Sequence, residues 1–321
     1  MKRLIILTVA LVAAVGSVAA LTSAEEWTVA VSAAAIHHEF SLMINQGAVD
    51  TLNEAGVEVI FTEAGGDELE QVAQIENAVQ RGVDAILVHG ITAFALQGAV
   101  ETAERAGIPI FAMDVPLTGP NVIATAMSDN YLAGLRMARY LVGHLGGEGK
   151  IVLMYCPGIP VLDMRYNALQ LVLSDYPEIE VVAELPWQAP AYVQSSLEQM
   201  EAFLRANPQS GAVDAVWSCA DMPAIGAAKA IETAGRGDEM FVIGMDALPE
   251  ALELIGQGTT FKMTAAQEPY EVGVAAATAC LDHLVGKDVS RWIYMDVTLV
   301  TQDNVEEFQH RYDEIKEKST L

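Results

Sequence analysis

The chain has 321 residues, is 52% hydrophobic, and carries 17 basic against 43 acidic groups, a net charge of −26. That length accommodates two domains of about 100–200 residues each, and so acidic a surface repels phosphate backbones and excludes nucleic acid as a partner. Three widely spaced cysteines, Cys156, Cys219 and Cys280, exclude a zinc motif and a disulfide framework; the odd count leaves at least one thiol unpaired, with buried free thiols expected and one bridge open.

The N-terminus reads as an export signal. Lys2 and Arg3 precede an uncharged apolar run, and small residues such as Thr22 and Ala24 lead into Glu25, Glu26 and Trp27. A basic start, an apolar middle and a small-residue exit describe a secretory signal peptide over 1–24. A membrane anchor is the alternative, since the run approaches the ~20 residues a span requires. Loss of Lys2 and Arg3 removes two positive charges and takes the net charge from −26 to −28. The expected location of the mature chain is periplasmic or otherwise extracytoplasmic.

From Trp27 onward, short β-type runs alternate with helical ones. Strands are predicted at 27–32, 57–62, 84–88 and 108–114, with helices at 40–55, 69–81 and 93–106 between them. After the turn-rich PLTGPN come a strand at 122–127 and a helix that Ser128, Asp129 or Asn130 caps and Gly146–Gly147 ends. Strands at 150–156, 179–185, 214–219, 240–246 and 259–267 then alternate with helices at 163–174, 193–206, 223–234, 249–256 and 270–284. A polar tail, 302–318, is expected to be helical and solvated. Strand–helix alternation at this spacing builds right-handed βαβ units and parallel sheets. Two sets of about five units predict an α/β fold of two similar doubly wound, Rossmann-like lobes. In such sheets ligands sit beyond the carboxyl ends of the strands.

At this point the chain resembles the ribose/galactose-type periplasmic binding proteins, the sugar-binding subunits of ABC importers. The phrases that carry the resemblance run in order: VS-x8-F (31–40), RGVDAILV (81–88), AGIPIFAMD (106–114), SDN (128–130), DMRYNALQ (163–170), QAPAY (188–192), ADMPAIGA (220–227), VIGMDALPE (242–250) and AAQEPYEVG (265–273). The resemblance implies two lobes joined by a three-strand hinge, with crossings near Ser128, Gln267 and Asp296. The N-terminal lobe is then 25–128 plus 268–296, and the C-terminal lobe 129–267 plus 297–321. It also implies closure on a small sugar or polyol, delivery to an ABC permease in the membrane, a monomeric chain, no cofactor and no catalysis.

The same resemblance assigns ligand-binding residues. Asp114 and Asp246 end strands and offer carboxylates that each accept two hydroxyl donors; capping of the next helix is their alternative role. Arg165 presents five fixed donors, or else a surface salt bridge, and its removal is expected to leave the ligand-free fold nearly intact. Gln267 sits at a hinge strand and both donates and accepts. Phe40 and Tyr192 offer ring faces to a C–H-rich sugar, with core packing as the alternative. His38 is read as a hydrogen-bonding contact in the first loop; its neighbours His37 and Glu39 suggest a metal, but adjacent histidines do not point at one ion and no metal site is read. The chain departs from the family's pattern at Val115, where arginine is common, at Ala220, where asparagine is common, and at Ser41 and Met245, where aromatics are common. Those losses favour a smaller polyol, a deoxy or branched sugar, or another hydroxylated metabolite. Three other readings compete with transport: an enzyme, for which the chain lacks a nucleophile elbow, phosphate loop or HExxH; a transcription regulator, which the charge opposes; and a receptor presenting ligand to a chemoreceptor or sensor kinase.

Overall fold

The computed structural model describes residues 27–37, 39–188, 190–310 and 321. The signal-peptide reading over 1–24, the His38 assignment and the tail beyond 310 lie outside the described residues.

Two six-stranded sheets form the framework. The first is built from β1 (Thr28–Ala33), β2 (Glu58–Glu63), β3 (Ala85–His89), β4 (Ile110–Met113), β5 (Val122–Ser128) and β11 (Trp292–Met295), in the order β11-β5-β4-β3-β1-β2, all parallel. The second contains β6 (Gly149–Met154), β7 (Ile179–Glu184), β8 (Ala215–Ser218), β9 (Phe241–Met245), β10 (Phe261–Ala266) and β12 (Thr298–Val300), in the order β12-β10-β9-β8-β6-β7, with β12 antiparallel to β10. Central strands such as β3 are buried along their whole length, while the edge strand β2 is not. That is why the central strands read in the sequence as unbroken apolar runs.

Helices α1 (Glu39–Glu54), α2 (Glu68–Arg81), α3 (Ala93–Ala106) and α9 (Pro269–Leu284) cover the first sheet; α4 (Asn130–Leu145), α5 (Pro160–Leu173), α6 (Tyr192–Ala206), α7 (Asp221–Thr233) and α8 (Pro249–Gly256) cover the second. Local chemistry sets their ends. Asp67 accepts hydrogen bonds from the N–H groups of Leu69 and Glu70 at the start of α2, and Gly82 ends that helix with φ 71°. Of the three cap candidates for α4, Asp129 performs the role, accepting from the Leu132 N–H at 2.9 Å.

Glycine lets two helix pairs approach closely. A Cβ on Gly273 would lie 2.0 Å from the Ile44 carbonyl oxygen, so α9 and α1 meet backbone to backbone although more than 200 residues separate them in sequence. On lobe two, a Cβ on Gly134 would lie 2.6 Å from the Arg165 carbonyl oxygen, which seats α5 tightly on α4.

Three details differ from the sequence reading. Short strands β11 and β12 flank Asp296, where the sequence showed only a crossing; Arg136 on α4 pins that crossing by donating to Asp296 at 2.7 Å and to the Val297 carbonyl. Helix α5 starts at Pro160 rather than 163, because proline suits the first helical position. The first turns of the tail are not solvated: Val305 and Phe308 are buried in the lobe-two core beside Ile255. The lobes also touch directly. Met43 of α1 packs in the apolar cluster that holds Ala247 and Leu248 of lobe two.

Candidate functional site

The two strand-end aspartates occupy equivalent places. Asp114 follows β4, and its N–H still reaches across to the Ala126 carbonyl on β5 at 2.8 Å. Asp246 follows β9, and its N–H reaches the Ala265 carbonyl on β10 at 3.0 Å. Both have left the strand conformation, with φ of 64° and 131°. A positive φ on a residue with a Cβ costs on the order of 1–3 kcal/mol and concentrates at binding sites. Neither aspartate caps the following helix; α8 begins after Leu248 with no side-chain cap.

Between them lies Arg165, on the second turn of α5 and only 3% exposed. Its Nε donates to Asn130 Oδ1 at 2.7 Å, and its Nη1 donates to the Cys219 carbonyl at 2.7 Å. Nη1 also lies 3.8 Å from Asp246 Oδ1. A surface salt bridge is thereby ruled out. The guanidinium ties the start of α4 to the end of β8 in the interior, so its removal is expected to weaken the ligand-free fold rather than leave it nearly intact. Gln267, one residue past β10, donates to Asp246 Oδ1 at 2.6 Å.

Burial governs the electrostatics. The Asp114 carboxyl is pushed up to about 6 by desolvation; the Arg165 guanidinium pulls it down in part, and Asp246 pushes it up. Asp246 is raised mainly by burial and held down by Arg165 and then Gln267. Thus Asp114 of one lobe and Asp246 of the other act on each other and share Arg165. Two acceptors in this cluster, Asp114 Oδ1 and Gln267 Oε1, are buried without a hydrogen-bond partner. Such orphans cost roughly 1–3 kcal/mol each until a donor arrives.

Phe40, on the first turn of α1, is half-buried against the lobe-one core. Tyr192 opens α6 and meets Trp187 edge to face, with ring centroids 5.2 Å apart. Each follows the carboxyl end of a strand, β1 for Phe40 and β7 for Tyr192. All three cysteines are free. Burial pushes the Cys219 and Cys280 thiols up to about 12, and the half-buried Cys156 donates to the Trp187 carbonyl at 3.0 Å. Among the described residues no group of His, Cys, Asp and Glu is arranged to hold a metal ion, and no helix is long and apolar enough to cross a membrane.

Sequence reasoning missed the residues that hold the cluster in place. Asn130 accepts from Arg165 and donates to the Ser128 carbonyl at 2.9 Å. Asp221 is fully buried; it accepts from the Thr264 hydroxyl at 2.8 Å and the Leu248 N–H at 2.9 Å, and its own N–H points at Asp246 Oδ2 at 3.4 Å. His89 ends β3 in register with Met113, is 5% exposed, and its Nδ1 lies 3.1 Å from Asn45 Nδ2. Because that amide also donates to the Ser41 carbonyl at 2.8 Å, Nδ1 is the acceptor and the ring proton sits on Nε2. The signal available in the sequence was polar residues at strand ends, in SDN, ADMP and LVHG.

A family model described as periplasmic binding protein domain matches residues 29–288. The ribose import binding protein of Bacillus subtilis is 28% identical over 87% of this chain and 88% of its own length. A xylitol-binding protein of Mycolicibacterium smegmatis is 29% identical over 84% of this chain and 76% of its own. A solved ABC transporter solute binding protein from Agrobacterium vitis, with bound allitol, superposes with a TM-score of 0.82 at 28% identity, over 89% of this chain and 98% of that one.

Proposed function

The chain belongs to the periplasmic binding protein family, and from that premise we propose that it captures a small sugar or sugar-like polyol between its lobes and delivers it to an ABC permease in the membrane. The observation that carries this reading is the meeting of Asp114 from one lobe with Arg165 and Asp246 from the other, electrostatically coupled and largely buried. Ligand hydroxyls donate to Asp114 Oδ1 and Gln267 Oε1 and accept from the remaining Arg165 N–H groups. Phe40 and Tyr192 supply the ring faces, and His38 a contact from the first loop. Because ligand contacts come from both lobes, binding favours the closed arrangement, and the closed surface is what the permease reads. The ligand leaves unchanged; the protein is a receptor rather than an enzyme, exported by a signal peptide over 1–24. The N-terminal lobe comprises 25–128 plus 268–296 and the C-terminal lobe 129–267 plus 297–321, consistent with β11 joining the first sheet and β12 the second.

The test is calorimetric titration of the purified mature chain with ribose, xylitol, allitol and myo-inositol, followed by mass spectrometry of the recovered ligand. Saturable one-to-one binding with unaltered ligand is expected. Turnover of the ligand, or binding that persists undiminished in an Asp246→Ala variant, would overturn the reading.

A further inference from the structure

We propose that the preferred ligand is a polyhydroxylated amine (an amino sugar, aminopolyol or aminocyclitol) whose protonated nitrogen sits at Asp114. This rests on the cleft being a sugar or polyol site and narrows the class of ligand it takes. Among the described residues, the buried Asp114 and the largely buried Asp246 both act on one guanidinium, Arg165, and the fully buried Asp221 adds a third carboxyl that acts on Asp246. Asp221 is satisfied within its own lobe by Thr264 and the Leu248 N–H. Asp246 holds Gln267 at 2.6 Å and lies 3.8 Å from Arg165. Arg165 spends Nε on Asn130 and Nη1 on the Cys219 carbonyl. Asp114 is left with an oxygen that is buried and unpartnered, and the side chain after it, Val115, is itself buried and apolar.

A hydroxyl group satisfies that oxygen as a donor but leaves the excess negative charge in place. Closing the cleft over an uncharged polyol removes water from a carboxylate that still lacks a full counter-charge, and burial of an unpaired charge is costly. A protonated amine supplies a donor and the missing charge together. The amine's three N–H donors also suit the second orphan acceptor, Gln267 Oε1. Burial and the neighbouring Asp246 push the Asp221 carboxyl well up, so that group can hold a proton; Asp114 and Asp246 then still face a single guanidinium, and burial raises the Asp114 carboxyl only to about 6. The chain's net charge of −26 draws cations toward the cleft as well.

Calorimetric titration of the mature chain at pH 7.5 with matched pairs tests this: D-glucose against D-glucosamine, D-galactose against D-galactosamine, myo-inositol against scyllo-inosamine, and xylitol against 1-amino-1-deoxyxylitol, with N-acetylated forms as uncharged controls. In at least one pair the amine should bind about tenfold or more tighter than its hydroxyl parent, a difference of ~1.4 kcal/mol, and N-acetylation should abolish the gain. Asp114→Asn should bring the amine-to-parent affinity ratio close to one, with thermal melting of the ligand-free variant confirming that it folds. A hydroxyl parent that equals or exceeds its amine in every pair overturns the inference and leaves the polyol-cleft reading standing. Failure of both members of every pair to bind, together with the sugars and polyols named above, overturns that reading too.

Discussion

Arg165→Met is the most informative single substitution, because methionine fills much of the volume and removes only the polar head. It deletes two charge-assisted hydrogen bonds of 2.7 Å, to Asn130 and to the Cys219 carbonyl. Such bonds contribute roughly 1.5–3 kcal/mol each. It also leaves Asp246 without its cation, and removing one partner of a buried pair costs about 3–5 kcal/mol in total. The Asp246 side chain keeps 14% exposure, so water recovers part of that loss, and the net destabilisation of the ligand-free protein should be about 3–4 kcal/mol. At ~2–4 °C per kcal/mol for a unit of 150–250 residues, melting should fall by roughly 6–16 °C. Differential scanning calorimetry without ligand measures it. Adding Asp246→Asn to the variant removes the stranded charge and should restore at least about 1 kcal/mol relative to simple additivity. A ligand-free melting temperature within about 2 °C of wild type would refute the reasoning, because the guanidinium would then be an accessory of the ligand rather than part of the fold.

Asp114→Asn should stabilise the ligand-free protein at high pH. A carboxyl raised to about 6 in the fold contributes stability below its unfolded value near 4 and loses it as pH rises through 6. The variant should therefore melt higher at pH 8, by an amount on the order of 3 kcal/mol, and the difference should vanish near pH 4; a gap that does not change with pH would contradict the assigned burial. Gly134→Ala would place a Cβ 2.6 Å from the Arg165 carbonyl oxygen, so it should cost about 1–3 kcal/mol and weaken ligand binding by moving α5. Gly143→Ala on the same helix meets nothing within 4 Å and should instead add up to about 1 kcal/mol; equal effects of the two on melting would discount the close approach. Met43→Ala should loosen the direct contact between lobes at about 2–4 kcal/mol, visible as a larger ligand-free radius of gyration in X-ray scattering. An unchanged radius would show that the contact does not hold the lobes together.

The parallel strands were legible because burial on both faces makes them continuous apolar runs, as in DAILV and IPIFAMD. Strands β11 and β12 were not, since they have four and three residues and partly exposed patterns, too short for periodicity to register. Val305 and Phe308 were hidden by the charged residues around them, although their i, i+3 spacing marks one helical face. Asp114, Asp246 and Gln267 were singled out by the family resemblance, and their places agree with the rule that ligands sit just past strand ends in parallel sheets. That Arg165 is buried could not be read, because its partners Asn130 and Cys219 lie 35 and 54 residues away. The role of Asp221 had the same obstacle: its hydroxyl partner, Thr264, is 43 residues on.

The junction of α9 with α1 at Gly273 also dictates an order of assembly. The first sheet and its helices cannot be completed by the first hundred residues alone, because α9 and β11 arrive only after the whole of the second sheet but β12 has been made. Bringing those ends together demands a long loop closure, and contacts so distant in sequence slow folding. An emerging polypeptide therefore leaves the outer edge of β5 and the α9-facing side of α1 uncovered until almost all of it is synthesised.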